Sequence, residues 1–111
     1  MRPKLMFVYI LASRRNGTLY TGVTRNLRLR YLQHQCGLSS AFTSRYQVNN
    51  LVYYEIFNSP IFAIAREKQI KAGSRADKIR LIESKNPKWT DLYDNAQSIR
   101  HCEKRSDEAI Q

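Results

Sequence analysis

The chain has 111 residues, 42% of them hydrophobic, and a formal net charge of +10. That length holds one domain with a modest core and excludes two. The charge points to a polyanionic partner, nucleic acid ahead of an anionic membrane surface, and the apolar run Leu5–Ala12 is too short to span a bilayer.

Residues 1–60 hold eight Lys/Arg against the single acid Glu55, a net +7, whereas residues 61–111 hold eleven against eight, a net +3. The positive field therefore belongs to the first half. Cys36 and Cys102 lie far apart, with no CxxC and no Cys/His ligand spacing, so a zinc site is not expected. No signal-peptide pattern is present, and cytoplasm is the default location.

Met6–Ala12 is rich in aromatic and branched residues and reads as a strand. Ser13-Arg14-Arg15-Asn16-Gly17 ends in the Asn-Gly pair of a hairpin, and Thr18–Val23 is the returning strand. Asn26 caps a helix that runs to His34 or Gln35 and stops at Cys36-Gly37. A polar loop follows over Leu38–Asn50, then a third strand over Leu51–Phe57. Ser59-Pro60 opens a second helix, with Pro60 at its first position and Gly73 at its end. Ser74-x-x-Asp77 is a capping box with Asp in the usual Glu place, and its helix ends before Asn86-Pro87. Trp89, Leu92 and Tyr93 fold back onto the core. The expected fold is α/β: a small three-stranded antiparallel sheet flanked by helices, in the order β-β-α-β-α-α, with the helices on one side. Residues 1–93 form the domain, and 94–111 read as a disordered tail.

Several polar side chains fall on elements that should be occupied with packing. Tyr9 and Tyr20 sit on paired strands, where a tyrosine most often fills core or rim. A phenol could also take a proton from a nucleophile, provided that positive charge nearby lowers its pKa. Gly22 marks a bulge or a place where backbone approaches a ligand. Arg30 and His34 lie four apart on one helical face, the one suited to clamping a phosphoryl oxygen, the other to moving a proton. Glu67 sits mid-helix between Ala63 and Ile70. It either pairs with Lys71 at i+4 or serves as the single carboxylate that Mg²⁺ needs. Glu55 reads as a strand-end surface charge. Arg14, Arg15, Arg25, Arg45, Lys68, Lys71, Arg75 and Lys78 read as a phosphate-tracking surface, although each alone is more often simply solvated, and Arg28 with Arg30 supplies positive charge near the tyrosines. Asn86 is a helix-end residue that could also orient a phosphate.

These residues, in this order, resemble the GIY-YIG nuclease superfamily. Val8-Tyr9-Ile10 is similar to its first motif and Tyr20-Thr21-Gly22 to its second. Asn26-Leu27-Arg28-Leu29-Arg30, with His34 one turn on, resembles its arginine motif, and Glu67 the metal-binding glutamate. The match runs from about Met6 to Tyr93 and is nearest the small stand-alone bacterial members; the amino-terminal module of the excinuclease C subunit is a more distant relative. Val8 replaces the first motif's glycine, Thr21 an aliphatic residue, and Val23 a lysine of some members. The resemblance implies metal-dependent hydrolysis of DNA phosphodiesters, in repair or in processing of structured DNA, with one Mg²⁺ or Mn²⁺ ion. It assigns catalysis to Tyr9, Tyr20, Arg30 and His34, the metal to Glu67, and substrate binding to Gly22, Arg28, Arg45, Lys71 and Asn86. DNA is the expected partner, with no membrane, a protein partner for targeting left open, and a monomer or weak oligomer. The competing readings are a basic nucleic-acid-binding module that cuts nothing, and an RNA-binding sheet that stacks bases on Phe7 and Tyr9.

Overall fold

Strand β1 (Met6–Ala12) is buried at six of its seven residues. Unbroken burial means that both faces of the strand are covered. It is the middle strand of an antiparallel sheet in the order β2-β1-β3, with β2 at Leu19–Thr24 and β3 at Asn50–Phe57. The computed structural model describes residues 5–36 and 45–93. Most of the expected polar loop, Cys102 and the expected tail lie outside the described residues.

Helices α1 (Leu27–Gln35), α2 (Pro60–Ala72) and α3 (Arg75–Lys85) complete the expected β-β-α-β-α-α order. They do not share one side of the sheet. Val8 and Ile10 face a core with Ala63 and Ile70 of α2 and Ile82 of α3. Tyr9 and Leu11 face a second core with Tyr31 and Leu32 of α1. The reason lies in β1, whose apolar run lacks alternation and leaves no face for water. Tyr9 is therefore covered and cannot stack on a base, which removes the RNA-binding-sheet reading.

The local signals act much as the sequence suggests. Asn16 adopts a left-handed φ of 57°, and the Gly17 N–H donates to the Arg14 carbonyl at 2.9 Å. The Asn26 side chain accepts from the Leu29 N–H at 3.0 Å and caps α1. Both halves of the Ser74/Asp77 capping box form, each at 3.1 Å. Ser59 departs from expectation: it stands at the N-cap of α2 but makes no side-chain cap bond. Past α3, Trp89 is buried and its indole N–H donates to Glu83 at 2.8 Å. Tyr93 stacks on Tyr31 with ring centroids 4.4 Å apart. Among the described residues no helix is long and apolar enough to cross a membrane.

Candidate active site

Register decides which side chains meet. Tyr9 stands opposite Gly22, and Leu11 opposite Tyr20, so all four share the sheet face covered by α1. The Tyr9 ring lies across Gly22: a Cβ on that glycine would stand 2.4 Å from the Tyr9 Oη and 2.5 Å from its Cζ. Gly22 thus makes room for the Tyr9 ring. From α1, His34 completes the group. Its Nε2 lies 3.3 Å from the Tyr9 Oη. The ring centroids are 6.4 Å apart for Tyr9–Tyr20, 5.9 Å for Tyr9–His34 and 5.4 Å for Tyr20–His34.

Charge reaches this cluster from two elements. Burial raises the pKa of Tyr9 far above the usual phenol value; Tyr20 adds to the rise, Arg30 opposes it, and Glu67 adds to it again. Without a metal ion beside it, Tyr9 is therefore held as a phenol. Burial first, and then the Arg30 guanidinium, lower the pKa of His34 to about 4. His34 is neutral near pH 7.

That shift has a stability consequence. An unfolded histidine titrates near 6.5 and folded His34 near 4, so between these values the unfolded chain binds more protons. Stability is unaffected by this group above pH 6.5, falls as pH falls through the window, and stops falling below about 4. The full penalty is about 3 kcal/mol at most. Urea unfolding at pH 7 and pH 5 checks it: the wild type loses about 2 kcal/mol to this group, and His34→Gln removes that share of the loss.

Glu67 lies on the inward stripe of α2, with Ala63 a turn before it and Ile70 a turn after, both buried. Its carboxylate pairs with the Lys71 ammonium at 2.7 Å; the Glu67 side chain is 13% exposed and that of Lys71 52%. The plainer of the two sequence readings of Glu67 is therefore realised. It leaves the carboxylate in place, with a flexible surface counter-ion on it. Lys71 is a partner of Glu67 in this arrangement, not a separate phosphate contact.

The remaining expected binding residues do not gather here. Arg28 is exposed, and its charge acts on Tyr93, whose pKa burial raises and Arg28 opposes. Arg45 is exposed and lies over the Tyr46 ring at 5.6 Å. Asn86 is buried and spends its amide on the chain: Nδ2 donates to the Val52 and Thr90 carbonyls at 3.0 and 2.8 Å, while Oδ1 accepts from the Thr90 N–H and hydroxyl, each at 3.1 Å. With both amide hydrogens and both lone pairs used, it clasps the end of α3 to β3 and the following turn.

Sequence reasoning missed a second ion pair. Glu55 accepts from Arg66 Nε and Nη2, both at 3.0 Å at the closest, and from the Tyr53 hydroxyl. Burial works against its ionisation, yet the Arg66 and Tyr53 hydrogen bonds hold its pKa below the usual value. The only sequence signal was that Glu55 stands alone among eight cations in the first half. Strand alternation also accounts for the motif departures. Val8 and Val23 are register partners on the α2/α3 face, and Thr21 points the same way, so none of the three alters the Tyr9–Tyr20–His34 face.

Residues 5–80 match the family described as the GIY-YIG catalytic domain. The UPF0213 protein of Staphylococcus haemolyticus is 38% identical over 79 residues, covering 71% of this chain and 95% of that protein. The UPF0213 protein of Natronomonas pharaonis is 41% identical over 76 residues, covering 68% of this chain and 88% of its own. Among solved structures, the solution NMR structure of the UPF0213 protein BH0048 from Bacillus halodurans is 30% identical and covers 74% of this chain and 86% of its own, with a TM-score of 0.48. The match over residues 5–80, together with the Staphylococcus and Natronomonas relatives, shows that this chain belongs to the GIY-YIG family, alongside its UPF0213 proteins.

Proposed function

We propose that this protein is a divalent-metal-dependent endonuclease that hydrolyses DNA phosphodiester bonds, with Tyr9, Tyr20, Arg30, His34 and Glu67 as its working residues. One observation carries the reading: the Tyr9 phenol is bonded to the His34 imidazole and lies within the electric fields of both Arg30 and Glu67. A guanidinium for phosphate, an imidazole for a proton and a carboxylate for a metal thus act at one place.

The donor set fits the implied metal. A lone carboxylate that already holds a cation, with no group of three His, Cys, Asp or Glu among the described residues, suits Mg²⁺ or Mn²⁺ that keeps most of its waters. Bound by Glu67, such an ion would stabilise charge on the scissile phosphate and the leaving oxygen. Arg30 carries a permanent charge for the pentavalent phosphorus. Tyr9, held as a phenol, fixes the His34 ring. Water attacks in line and gives its proton to the neutral imidazole of His34, or to Tyr20 where that residue acts as a tyrosinate. A bound phosphate raises the pKa of His34 toward its working range. The new oxygen–phosphorus bond forms as the bond to the 3′ oxygen breaks. That oxygen takes up a proton, leaving 5′-phosphate and 3′-hydroxyl ends. Repair or processing of structured DNA is the setting this reading implies.

A module that binds nucleic acid without cutting is favoured by one fact, that Lys71 already neutralises Glu67. Incubating nicked, branched and single-stranded DNA with and without Mg²⁺ separates the two. The nuclease reading expects Mg²⁺-dependent cutting by wild type and none by Glu67→Ala. Equal cutting by both would remove Glu67 from the site, and salt-sensitive binding without cutting would establish the module. In the same assay Lys71→Ala lowers the Mg²⁺ concentration for half-maximal rate about fivefold, the effect of removing one competing charge beside the ion.

A further inference from the structure

A cleft of about 780 Å³ lies beside the tyrosine cluster rather than in it. One wall is the β1–β2 turn with Arg14; another is the start of α3 with Arg75 and Lys78; Tyr46 and Gln47 border it as well. Among the described residues three cations line it and no carboxylate does. The nearest acid in sequence, Asp77, is occupied with Ser74 and Arg80. Arg75 donates to the Asn16 and Gly17 carbonyls at 2.6 and 2.7 Å, and Lys78 to the Gly73 carbonyl at 2.6 Å. Neutral carbonyl partners fix these cations in position without cancelling their charge. Tyr46 is 47% exposed. Asn16 and Gln47, both on the cleft wall, have left-handed φ angles of 57° and 56°.

We propose that this cleft is a second nucleic-acid site, holding a single-stranded stretch that runs off the bond to be cut; the role in cutting rests on the endonuclease reading above. Fixed cations with an aromatic face are the means by which proteins hold single strands without reading sequence. The backbone lies against Arg14 and Lys78, and an unpaired base packs against the exposed part of Tyr46, displacing or sharing the ring with Arg45, which lies over it at 5.6 Å. A duplex keeps its bases stacked and paired, so it offers no face to Tyr46. The volume suits a ligand of one or two nucleotides. Leu19 lines the cleft and packs against the α2/α3 core, whereas Tyr20, the next residue of β2, faces α1, so a strand held in the cleft reaches the catalytic cluster only around the β2 edge of the sheet. The favoured substrates are therefore DNAs with an unpaired strand at the cut, such as flaps and splayed arms, over continuous duplex.

Fluorescence anisotropy tests this with a labelled oligothymidylate of about eight nucleotides, without divalent metal. Arg75 is left intact because it braces the hairpin turn. Arg14→Gln with Lys78→Gln weakens binding at least tenfold and flattens the dependence of affinity on salt, by about 1 in log–log slope for each cation removed. Tyr46→Ala weakens it about tenfold. Circular dichroism melting confirms that the variants fold. Hydrolysis of bis(4-nitrophenyl) phosphate, too small to reach the cleft, is unchanged in the cleft variants. Unaltered affinity in both variants would overturn the proposal. So would an equal loss on a blunt duplex or on polyglutamate. A wild type that cuts nothing, with binding still lost in the variants, would sink the endonuclease reading and leave the cleft standing.

Discussion

Arg30→Ala lowers kcat for DNA cleavage about 10²- to 10³-fold, the usual cost of removing one group that stabilises transition-state charge. KM changes little, because many other cations of this +10 chain still hold the DNA backbone. The structure gives the substitution a second signature. The Arg30 charge lowers the pKa of His34 and opposes the rise of Tyr9. Without it, His34 moves up from about 4 and the stability loss at acid pH becomes smaller. Single-turnover cleavage beside an NMR titration of His34 checks both. Loss of cleavage with an unmoved His34 would mean that Arg30 acts away from the tyrosine cluster.

Gly22→Ala destabilises the fold by about 3 kcal/mol, at the upper end of the range for overpacking, and stops cleavage as well. The added methyl meets the end of the Tyr9 ring at 2.4 and 2.5 Å. Neither side gives easily: the glycine lies in the β1–β2 ladder, and Tyr9 is buried under α1 and bonded to His34. A double-mutant cycle isolates this cause. Tyr9→Val removes the ring, so Gly22→Ala in that background costs well under 1 kcal/mol, while cleavage stays lost because the phenol is gone. An equal cost in both backgrounds would show that Gly22 is kept for its backbone and not for the ring.

Much of the fold was legible because its signals are local. Asn16-Gly17, Asn26, Pro60 and the Ser74/Asp77 box fix turns and helix starts through contacts within a few residues, and the element order follows from them. The placement of helices on both faces was misjudged, although the unbroken apolar run of β1 contains the reason. The candidate site was legible only as a set of residue types. That Tyr9 faces Gly22 depends on strand register, and that it meets His34 depends on the crossing of α1 over the sheet, a contact between residues 25 apart. Neither can be read from spacing. Asn86 stands at the helix end as its sequence position suggests, but its bond to the Val52 carbonyl and the pairing of Glu55 with Arg66 depend on partners in other elements and are not legible in the sequence.

The central claim is that Glu67 brings a divalent ion to the Tyr9–Tyr20–His34 cluster, and paramagnetic NMR with Mn²⁺ tests it directly. At substoichiometric Mn²⁺, the account predicts selective broadening of the Tyr9, Tyr20 and His34 ring signals in the wild type, and none of it in Glu67→Ala. Broadening of these rings that survives Glu67→Ala, or broadening confined to Asp77 and Glu83, would contradict it.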